Sequence, residues 1–183
     1  MPVVVQAPAT SANLGPGFDC LGLALELRDR VTFTPATSTS VTVAGEGEGE
    51  VSLGPEHLVL ASFRAAFAHC DMPVPEVSVH CENHIPHGRG LGSSSAAIVT
   101  GLVAARAMGA AMDDDRLLAV ATGIEGHPDN VAPALLGGLT VSWMHEGTGR
   151  AVRMEPAAGL EAVVAIPRQR LSTVTARTLL PET

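Results

Sequence analysis

Alternating apolar and polar side chains mark several short segments of the chain as β-strands. The clearest alternation spans residues 75–82, where Val77, Val79 and Cys81 fall on one face and polar residues fall on the other. A strand places successive side chains on opposite faces, so this pattern is typical of a half-buried strand. Similar patterns predict strands at residues 3–7, 30–34, 40–44, 139–144 and 160–166.

Longer segments repeat apolar residues at the three- to four-residue spacing of an amphipathic helix. Residues 57–70 place Leu58, Ala61 and Ala65 toward one side, and an alanine-rich run follows at residues 96–112. Further helices are predicted at residues 113–125, 130–136 and 172–180, and loops at residues 8–18, 45–54 and 126–129. Strands and helices in this order predict an α+β fold, with a mostly antiparallel sheet on one side and helices on the other.

The most informative segment joins a glycine-rich loop to the alanine-rich helix. Alternating glycines are followed at once by three serines; the residues are Gly88, Gly90, Leu91, Gly92, Ser93, Ser94 and Ser95. Glycine lets the backbone approach a ligand, and the first amides of a helix have no intrahelical partner at the positive end of its dipole. The segment therefore predicts a phosphate site, although a glycine turn with a serine cap would carry the same residues.

Two common nucleotide-binding motifs are excluded for this loop. All eleven basic residues are arginine, so the Gly-Lys-Ser/Thr of a Walker A motif is missing. No acidic residue ends a strand about twenty residues after the glycines, as a dinucleotide-binding fingerprint requires. The predicted phosphate site belongs to another class.

A second group of polar residues lies in the first predicted loop. Asn13 and Asp19 stand among small residues, and they are the groups there that can fix a polar substrate. Asp19 is followed by the apolar run 20–23, and a carboxylate in such a position is expected to have a partner, either in the protein or in a ligand. An ordinary turn is the alternative, because Asp is a common turn residue.

A third group places Glu125, His127, Asp129 and Asn130 within six residues, ahead of a short apolar helix. A carboxylate beside a triphosphate is a natural Mg²⁺ ligand, because Mg²⁺ prefers hard oxygen atoms and few protein ligands. Taken alone, His127 also fits a turn or a helix cap.

A fourth group follows the predicted strand 160–166 and contains Thr173 and Arg177. With Ser172 or Thr173 as the helix cap, Arg177 lies more than a turn inside the helix, so capping does not explain it. A surface arginine that only solvates its helix is the alternative. The guanidinium group also matches a carboxylate through two parallel hydrogen bonds.

Composition narrows the class of protein. The 183 residues are 46% hydrophobic and 16% charged, which predicts a packed core rather than disorder. A net charge of −8 disfavours nucleic acid, and three scattered cysteines fit a reducing compartment without a metal-binding pattern. Neither a signal peptide nor a membrane-spanning segment is recognisable. We expect a cytoplasmic protein that binds neither nucleic acid nor membrane.

These segments together resemble the GHMP kinase superfamily and, within it, the homoserine kinases. The stretch from Pro86 to Ser95 is similar to the superfamily's phosphate loop, with Ser95 where alanine is usual. Segments 8–19, 125–133 and 170–181 are similar to homoserine kinase motifs. The resemblance implies a GHMP kinase N-terminal domain (ribosomal protein S5 domain 2-like) at residues 1–157 and the start of a ferredoxin-like C-terminal domain at residues 158–183.

The resemblance also implies ATP-dependent phosphorylation of L-homoserine in threonine biosynthesis, with ATP and Mg²⁺. ATP would be bound by Pro86, Gly88, Gly90, Leu91, Gly92, Ser93, Ser94 and Ser95, and Mg²⁺ by Ser94 and Glu125. Homoserine would be bound by Asn13, Asp19, His127, Asn130, Thr173 and Arg177. Glu125, Asn130 and Asp129 would be the catalytic residues, with Asp129 as the nearest candidate base. Asp19 and Arg177 would pair with the ammonium and the carboxylate of the amino acid.

The resemblance leaves alternatives open. The family's third, glycine-rich motif has no match before Thr183, so we expect a truncated chain that allows a homodimer through the open edge of segment 160–166. A non-catalytic half-kinase and another GHMP kinase, such as mevalonate kinase, are the alternatives. A mevalonate site has no use for Asp19 as an ammonium partner.

Overall fold

The computed structural model describes residues 1–159 and 161–166, which form a six-stranded sheet and its packed helices. The elements are β1 (Val3–Leu14), β2 (Gly17–Pro35), β3 (Ser40–Gly45), α1 (Leu58–His69), β4 (Val77–Asn83), α2 (Ser93–Ala107), α3 (Asp114–Glu125), α4 (Pro128–Leu136), β5 (Leu139–His145) and β6 (Thr148–Met154). The strand order is β3-β4-β2-β5-β6, and β1 pairs with β2. All pairs are antiparallel except β3 with β4. The predicted α+β class and mostly antiparallel sheet are confirmed.

The core forms where the sheet meets α1 and α2. Phe33 of β2 stacks on Phe63 of α1 with ring centroids 5.3 Å apart, and Phe63 meets Phe67 edge-on at 5.1 Å. Offset and edge-on aromatic pairs stabilise a core beyond the area that they bury. A second, smaller core lies beneath the glycine-rich loop and contains Ala7, Ala9, Ile85, Leu91 and Ala96. This smaller core connects the fold to the predicted phosphate site.

The loop predicted at residues 8–18 is wrong, because β1 continues to Leu14 and β2 begins at Gly17. Alanine, serine and proline, which dominate residues 7–12, are poor indicators of a strand, but Ala7, Ala9 and Thr10 are buried against neighbouring elements. Tertiary packing overrides intrinsic strand preference in such a segment. A register shift between Pro8 and Thr10 leaves three β2 residues between the partners Arg28 and Ala24.

Other boundaries differ from the sequence prediction. The loop predicted at residues 126–129 is shorter, because α4 begins at Pro128 with His127 as its N-cap, and proline is favoured at a first helical position. The alanine-rich helix begins at Ser93 and ends at Ala107. Strand β6 was not predicted, because its sequence Thr-Gly-Arg-Ala-Val-Arg-Met lacks clean alternation. Its pairing with β5 follows from a turn in which Glu146 and Gly147 both have positive φ angles.

The strand predicted at residues 160–166 is wrong for residues 161–166, which have no regular secondary structure. A strand needs a neighbour for its backbone hydrogen bonds, and no strand within the described ranges pairs with this segment. Residue 160 and the predicted helix 172–180 lie outside the described residues. No helix in the described part of the chain is long and apolar enough to cross a membrane.

Candidate functional site

The glycine-rich loop leads into α2 without a side-chain cap. Gly92 is the N-cap in the left-handed conformation (φ 63°), and no side chain bonds to the cap position. The serine cap considered from the sequence is therefore not formed. Glycine adopts this φ without steric cost, and the first amides of α2 are not taken by a capping side chain. The start of α2 thus has the geometry of an anion site.

Backbone contacts hold the two ends of this loop. After the loop, the carbonyl of Leu91 accepts a hydrogen bond from the backbone N–H of Thr10 at 3.0 Å. Before the loop, the Asp29 carboxylate accepts hydrogen bonds from the backbone N–H groups of His84 and Ile85. Ile85 and Leu91 both belong to the small core beneath the loop. The loop is therefore fixed at its entrance and at its exit.

The predicted Mg²⁺ ligands are brought together beside the start of α2. Glu125 is the last residue of α3, and its Oε1 accepts hydrogen bonds from Ser94 Oγ at 2.8 Å and from Ser95 Oγ at 3.2 Å. A hydroxyl and a carboxylate are hard oxygen ligands, and Mg²⁺ in nucleotide sites takes few protein ligands besides phosphate. The donor set and its position beside the anion site fit the ion.

The predicted substrate residues form a second cluster, at the start of α4. Asn130 Oδ1 accepts a hydrogen bond from Thr10 Oγ1 at 2.8 Å, and Asn130 Nδ2 donates to Asp129 Oδ1 at 3.2 Å. His127 Nδ1 is 3.1 Å from Asp129 Oδ1, and His127 Nε2 is 4.0 Å from Asp19 Oδ1. Ligand atoms of Asp19, His127 and Asp129 all lie within 4.8 Å of one another. Such a cluster can hold a small cation, including an ammonium group.

The tip of the β1–β2 hairpin carries the other two predicted substrate residues. The side chain of Asn13 accepts a hydrogen bond from the backbone N–H of Asp19 at 2.8 Å. Both residues have φ 58°, in a left-handed region that side chains other than glycine, asparagine and aspartate rarely occupy. Asn13 therefore shapes the turn that directs Asp19 toward His127.

Gly92 lies where the two clusters meet. A Cβ atom on this residue would be 1.9 Å from Thr10 Oγ1 and 3.1 Å from Asn130 Oδ1. Gly22 makes a similar close approach, since its Cβ would be 2.2 Å from the backbone oxygen of Asp129. The absence of a side chain at these positions lets the loop and α4 pack closely against the sheet.

A cavity of about 400 Å³ adjoins the start of α2. Its walls include Ser93 and Ser94 together with the apolar residues Val31, Val51, Leu58, Val59 and Ala97. His57 also lines it; burial, followed by the nearby His87, lowers the pKa of His57, so its neutral form is favoured. Polar side chains, among them Asp29, Glu56 and Asn83, also line the cavity, and a concave site with apolar walls and several polar groups suits a small molecule.

Sequence analysis missed two buried polar residues, Thr10 and Asp29, that contact the glycine-rich loop or the residues next to it. Thr10 is fully buried and bridges the glycine-rich loop to Asn130. Asp29 is 6% exposed, and burial raises its pKa. Burial, with the Asp29 charge as a second cause, also raises the pKa of Cys81 to about 12, so that this thiol stays protonated. The alternating pattern of β2 could have predicted that Asp29 is buried, because it lies two and four residues before the buried Val31 and Phe33 and so faces the same side of the strand.

The remaining predicted residues fall into two groups. Pro86 is buried at the start of the loop, and Gly88 and Gly90 have positive φ angles. Thr173 and Arg177 lie outside the described residues, so their contacts with the substrate stay predictions.

Known proteins that resemble this chain are kinases of one superfamily. Residues 57–138 match the model of the GHMP kinases N terminal domain. The homoserine kinase of Streptomyces coelicolor is 52% identical over 98% of the chain, and that of Mycobacterium tuberculosis is 44% identical over 94%. The chain spans 60% and 58% of the lengths of these two relatives.

Solved structures with a similar fold are also kinases of this superfamily. The homoserine kinase of Cytophaga hutchinsonii superimposes with a TM-score of 0.80 at 27% identity. The superposition covers 100% of this chain and 61% of that kinase. Mevalonate kinase of Methanococcus jannaschii has a TM-score of 0.65 but 13% identity, covering 85% of this chain and 56% of its own, which shows a shared fold alone.

Residues 57–138 therefore carry the GHMP kinase N-terminal domain, and the fold of the chain is similar to that of solved GHMP kinases. Within that family, its sequence and its fold are similar to those of homoserine kinases.

Proposed function

We propose that this chain is part of a homoserine kinase, which transfers the γ-phosphate of ATP to the hydroxyl group of L-homoserine. The products are O-phospho-L-homoserine and ADP, in a step of threonine biosynthesis. The observation that carries the proposal is the meeting at Gly92 of an uncapped helix start with a cluster of Asp19, His127, Asp129 and Asn130. Curated relatives of 43–52% identity over nearly the whole chain support it.

The nucleotide would lie along the start of α2. Backbone amides of residues 90–94 would bind the phosphates, and the adjoining cavity of about 400 Å³ would take the nucleoside. Ser94 and Glu125 would hold Mg²⁺, which neutralises charge on the phosphates when bound. No lysine of this chain contributes, because residues 1–183 contain none.

The amino acid would lie at the start of α4. Asp19 would pair with its ammonium group, His127 would contact it from the N-cap of α4, and Asn130 would orient its hydroxyl toward the phosphate. Arg177 would bind its carboxylate, and Thr173 would also contact the substrate. Phosphoryl transfer depends mainly on positioning and on charge neutralisation, so a strong base is unnecessary. Asp129, buried beside Asn130, is the nearest group that can accept the hydroxyl proton.

Residues 1–157 would form the ATP-binding N-terminal domain and residues 158–183 the start of a C-terminal domain. A phosphotransfer assay tests the proposal, with ATP and either homoserine, mevalonate or shikimate, on the 183-residue chain and on the protein expressed from its complete gene. We expect phosphorylation of homoserine by the latter. Equal rates with mevalonate, or ATP binding without transfer to any acceptor, would contradict the assignment.

A further inference from the structure

Asp29 places a carboxylate at a position of β2 that faces the protein interior. It shares strand parity with Val31 and Phe33, which are 1% and 0% exposed, and is itself 6% exposed. Burial raises its pKa, and the hydrogen bonds from the Ile85 and His84 amides offset that effect only in part. A buried carboxylate costs stability unless it is well bonded, so its partners indicate its role.

The Asp29 carboxylate is hydrogen-bonded to two backbone amides just before the glycine-rich loop. Asp29 Oδ1 accepts hydrogen bonds from the N–H of His84 at 2.6 Å and from the N–H of Ile85 at 2.9 Å. The backbone pairing of β2 with β4 stops at Arg30 and Glu82. Beyond the end of this pairing, the Asp29 side chain binds the next backbone N–H groups of the opposite segment, and its charge strengthens these hydrogen bonds.

These two bonds set the entrance of the loop. Ile85 is fully buried in the same small core as Leu91, the residue whose carbonyl fixes the exit of the loop to Thr10. A displacement at His84 and Ile85 would move Pro86 and the glycines that follow. The amides at the start of α2 depend on that path for their direction toward a bound anion.

We propose that Asp29 is a positioning residue for ATP binding: its carboxylate holds the entrance of the glycine-rich loop so that the loop amides face the phosphates. This inference rests on the proposed function, because it takes the loop as the phosphate site. It adds a residue outside the loop that touches no substrate.

Simple electrostatics predicts the opposite effect of removing this charge. Asp29 lines the same cavity as Ser93 and Ser94, so its negative charge would repel a triphosphate bound there. Its removal would then strengthen ATP binding. A positioning role predicts weaker binding, and the sign of the change separates the two.

The test is Asp29→Asn in the protein expressed from its complete gene, with the ATP dissociation constant measured by calorimetry. Asparagine keeps an acceptor oxygen but not the charge, and charged hydrogen bonds are about twice as strong as neutral ones. We expect ATP binding to weaken about three- to tenfold and the KM for homoserine to stay within about twofold. Hydrogen exchange should become faster at the amides of His84 and Ile85.

Glu82→Gln is the matched control. Glu82 is the neighbouring carboxylate on β4, it pairs with Arg30 at 2.6 Å, and it is 39% exposed at the side chain. Its replacement should leave ATP binding within about twofold, since exposed ion pairs contribute little. Asp29→Ala, which removes the acceptor altogether, should weaken ATP binding more than Asp29→Asn does.

Unchanged or tighter ATP binding by Asp29→Asn overturns the proposal. Equal weakening for ATP and homoserine, with faster exchange throughout the sheet, also overturns it, because a purely structural role has that signature. If the wild-type protein itself does not bind ATP, the proposed function fails and this inference fails with it. Wild-type activity with an unaffected variant refutes the inference alone.

Discussion

The nucleotide side and the amino-acid side of the candidate site are built in different ways. The nucleotide side consists mainly of consecutive residues, 86–95, which offer backbone amides and serine hydroxyls at the start of one helix, with Glu125 as the one residue from elsewhere in the sequence. The amino-acid side takes single side chains from separate elements, among them Asp19 on β2 and His127 before α4. We infer that the glycine-rich loop of the first side depends mainly on free space around its backbone, whereas the second side depends on individual charged groups.

The largest effect is expected at the point where the two sides meet. Gly92→Val should weaken ATP binding more than about a hundredfold, because its Cβ would lie 1.9 Å from Thr10 Oγ1 and because valine disfavours a φ of 63°. Calorimetry with ATP measures the loss. Gly123→Ala is the control, since a Cβ at that position of α3 meets nothing within 4 Å. Undiminished ATP affinity in Gly92→Val would refute the phosphate site.

The second prediction concerns the carboxylate of the nucleotide side. Glu125→Gln should lower kcat by about a hundredfold at fixed Mg²⁺, the loss typical of a removed charge-stabilising group, and excess Mg²⁺ should restore part of it. The reason is that Glu125 and Ser94 form the proposed Mg²⁺ site. Glu155→Gln, an exposed carboxylate paired with Arg153, serves as the control. A rate and a Mg²⁺ dependence equal to those of the wild type would remove Glu125 from the site.

The third prediction tests the amino-acid side by itself. Asp19→Asn and Arg177→Lys should each raise the KM for homoserine about ten- to a hundredfold, since a charged hydrogen bond contributes roughly 1.5–3 kcal/mol. The KM for ATP should change much less. Asp115→Asn is a matched control, because its side chain is 81% exposed on α3. Equal changes in both constants would indicate a general loss of structure.

The smallest effect is a pH dependence of stability. Because the folded state raises the pKa of Asp29, the folded protein binds a proton there more tightly than the unfolded chain does. This contribution to stability is therefore present at low pH and is lost as the pH rises from the ordinary aspartate pKa of 3.8 through the raised pKa of Asp29. The variant Asp29→Asn does not lose stability in this way, because asparagine does not titrate.

Denaturant unfolding from pH 4 to pH 7 provides the measurement for Asp29→Asn. The stability of the variant relative to the wild type should rise with pH across this window. A stability difference that is constant, or that falls with pH, would show that the Asp29 carboxylate is not destabilised by burial.

Local sequence signals account for the contiguous part of the candidate site better than for the contacts between distant residues. Residues 86–95 could be found because glycine spacing and a helix start are local signals, and the Ser94–Glu125 bond brings the predicted Mg²⁺ pair together. The direct contact of Thr10 with Asn130 joins residues 120 positions apart, and no local pattern encodes it. The hairpin at residues 3–35 was predicted only at its two ends, as strands 3–7 and 30–34. Residues 8–14 were missed because they are mostly small residues that pack as a strand only in the folded protein.

Strand β2 has a consequence for how the protein folds. It is 19 residues long, and it carries Asp19 near one end and Asp29 ten residues later, so a single strand serves both sides of the site. A slip of one residue in its pairing would turn both carboxylates to the opposite face of the sheet. Its partners β4 and β5 lie far away in the sequence, and such non-local pairings form slowly. Both halves of the site should therefore gain their geometry in the same late folding step, when β2 settles into register.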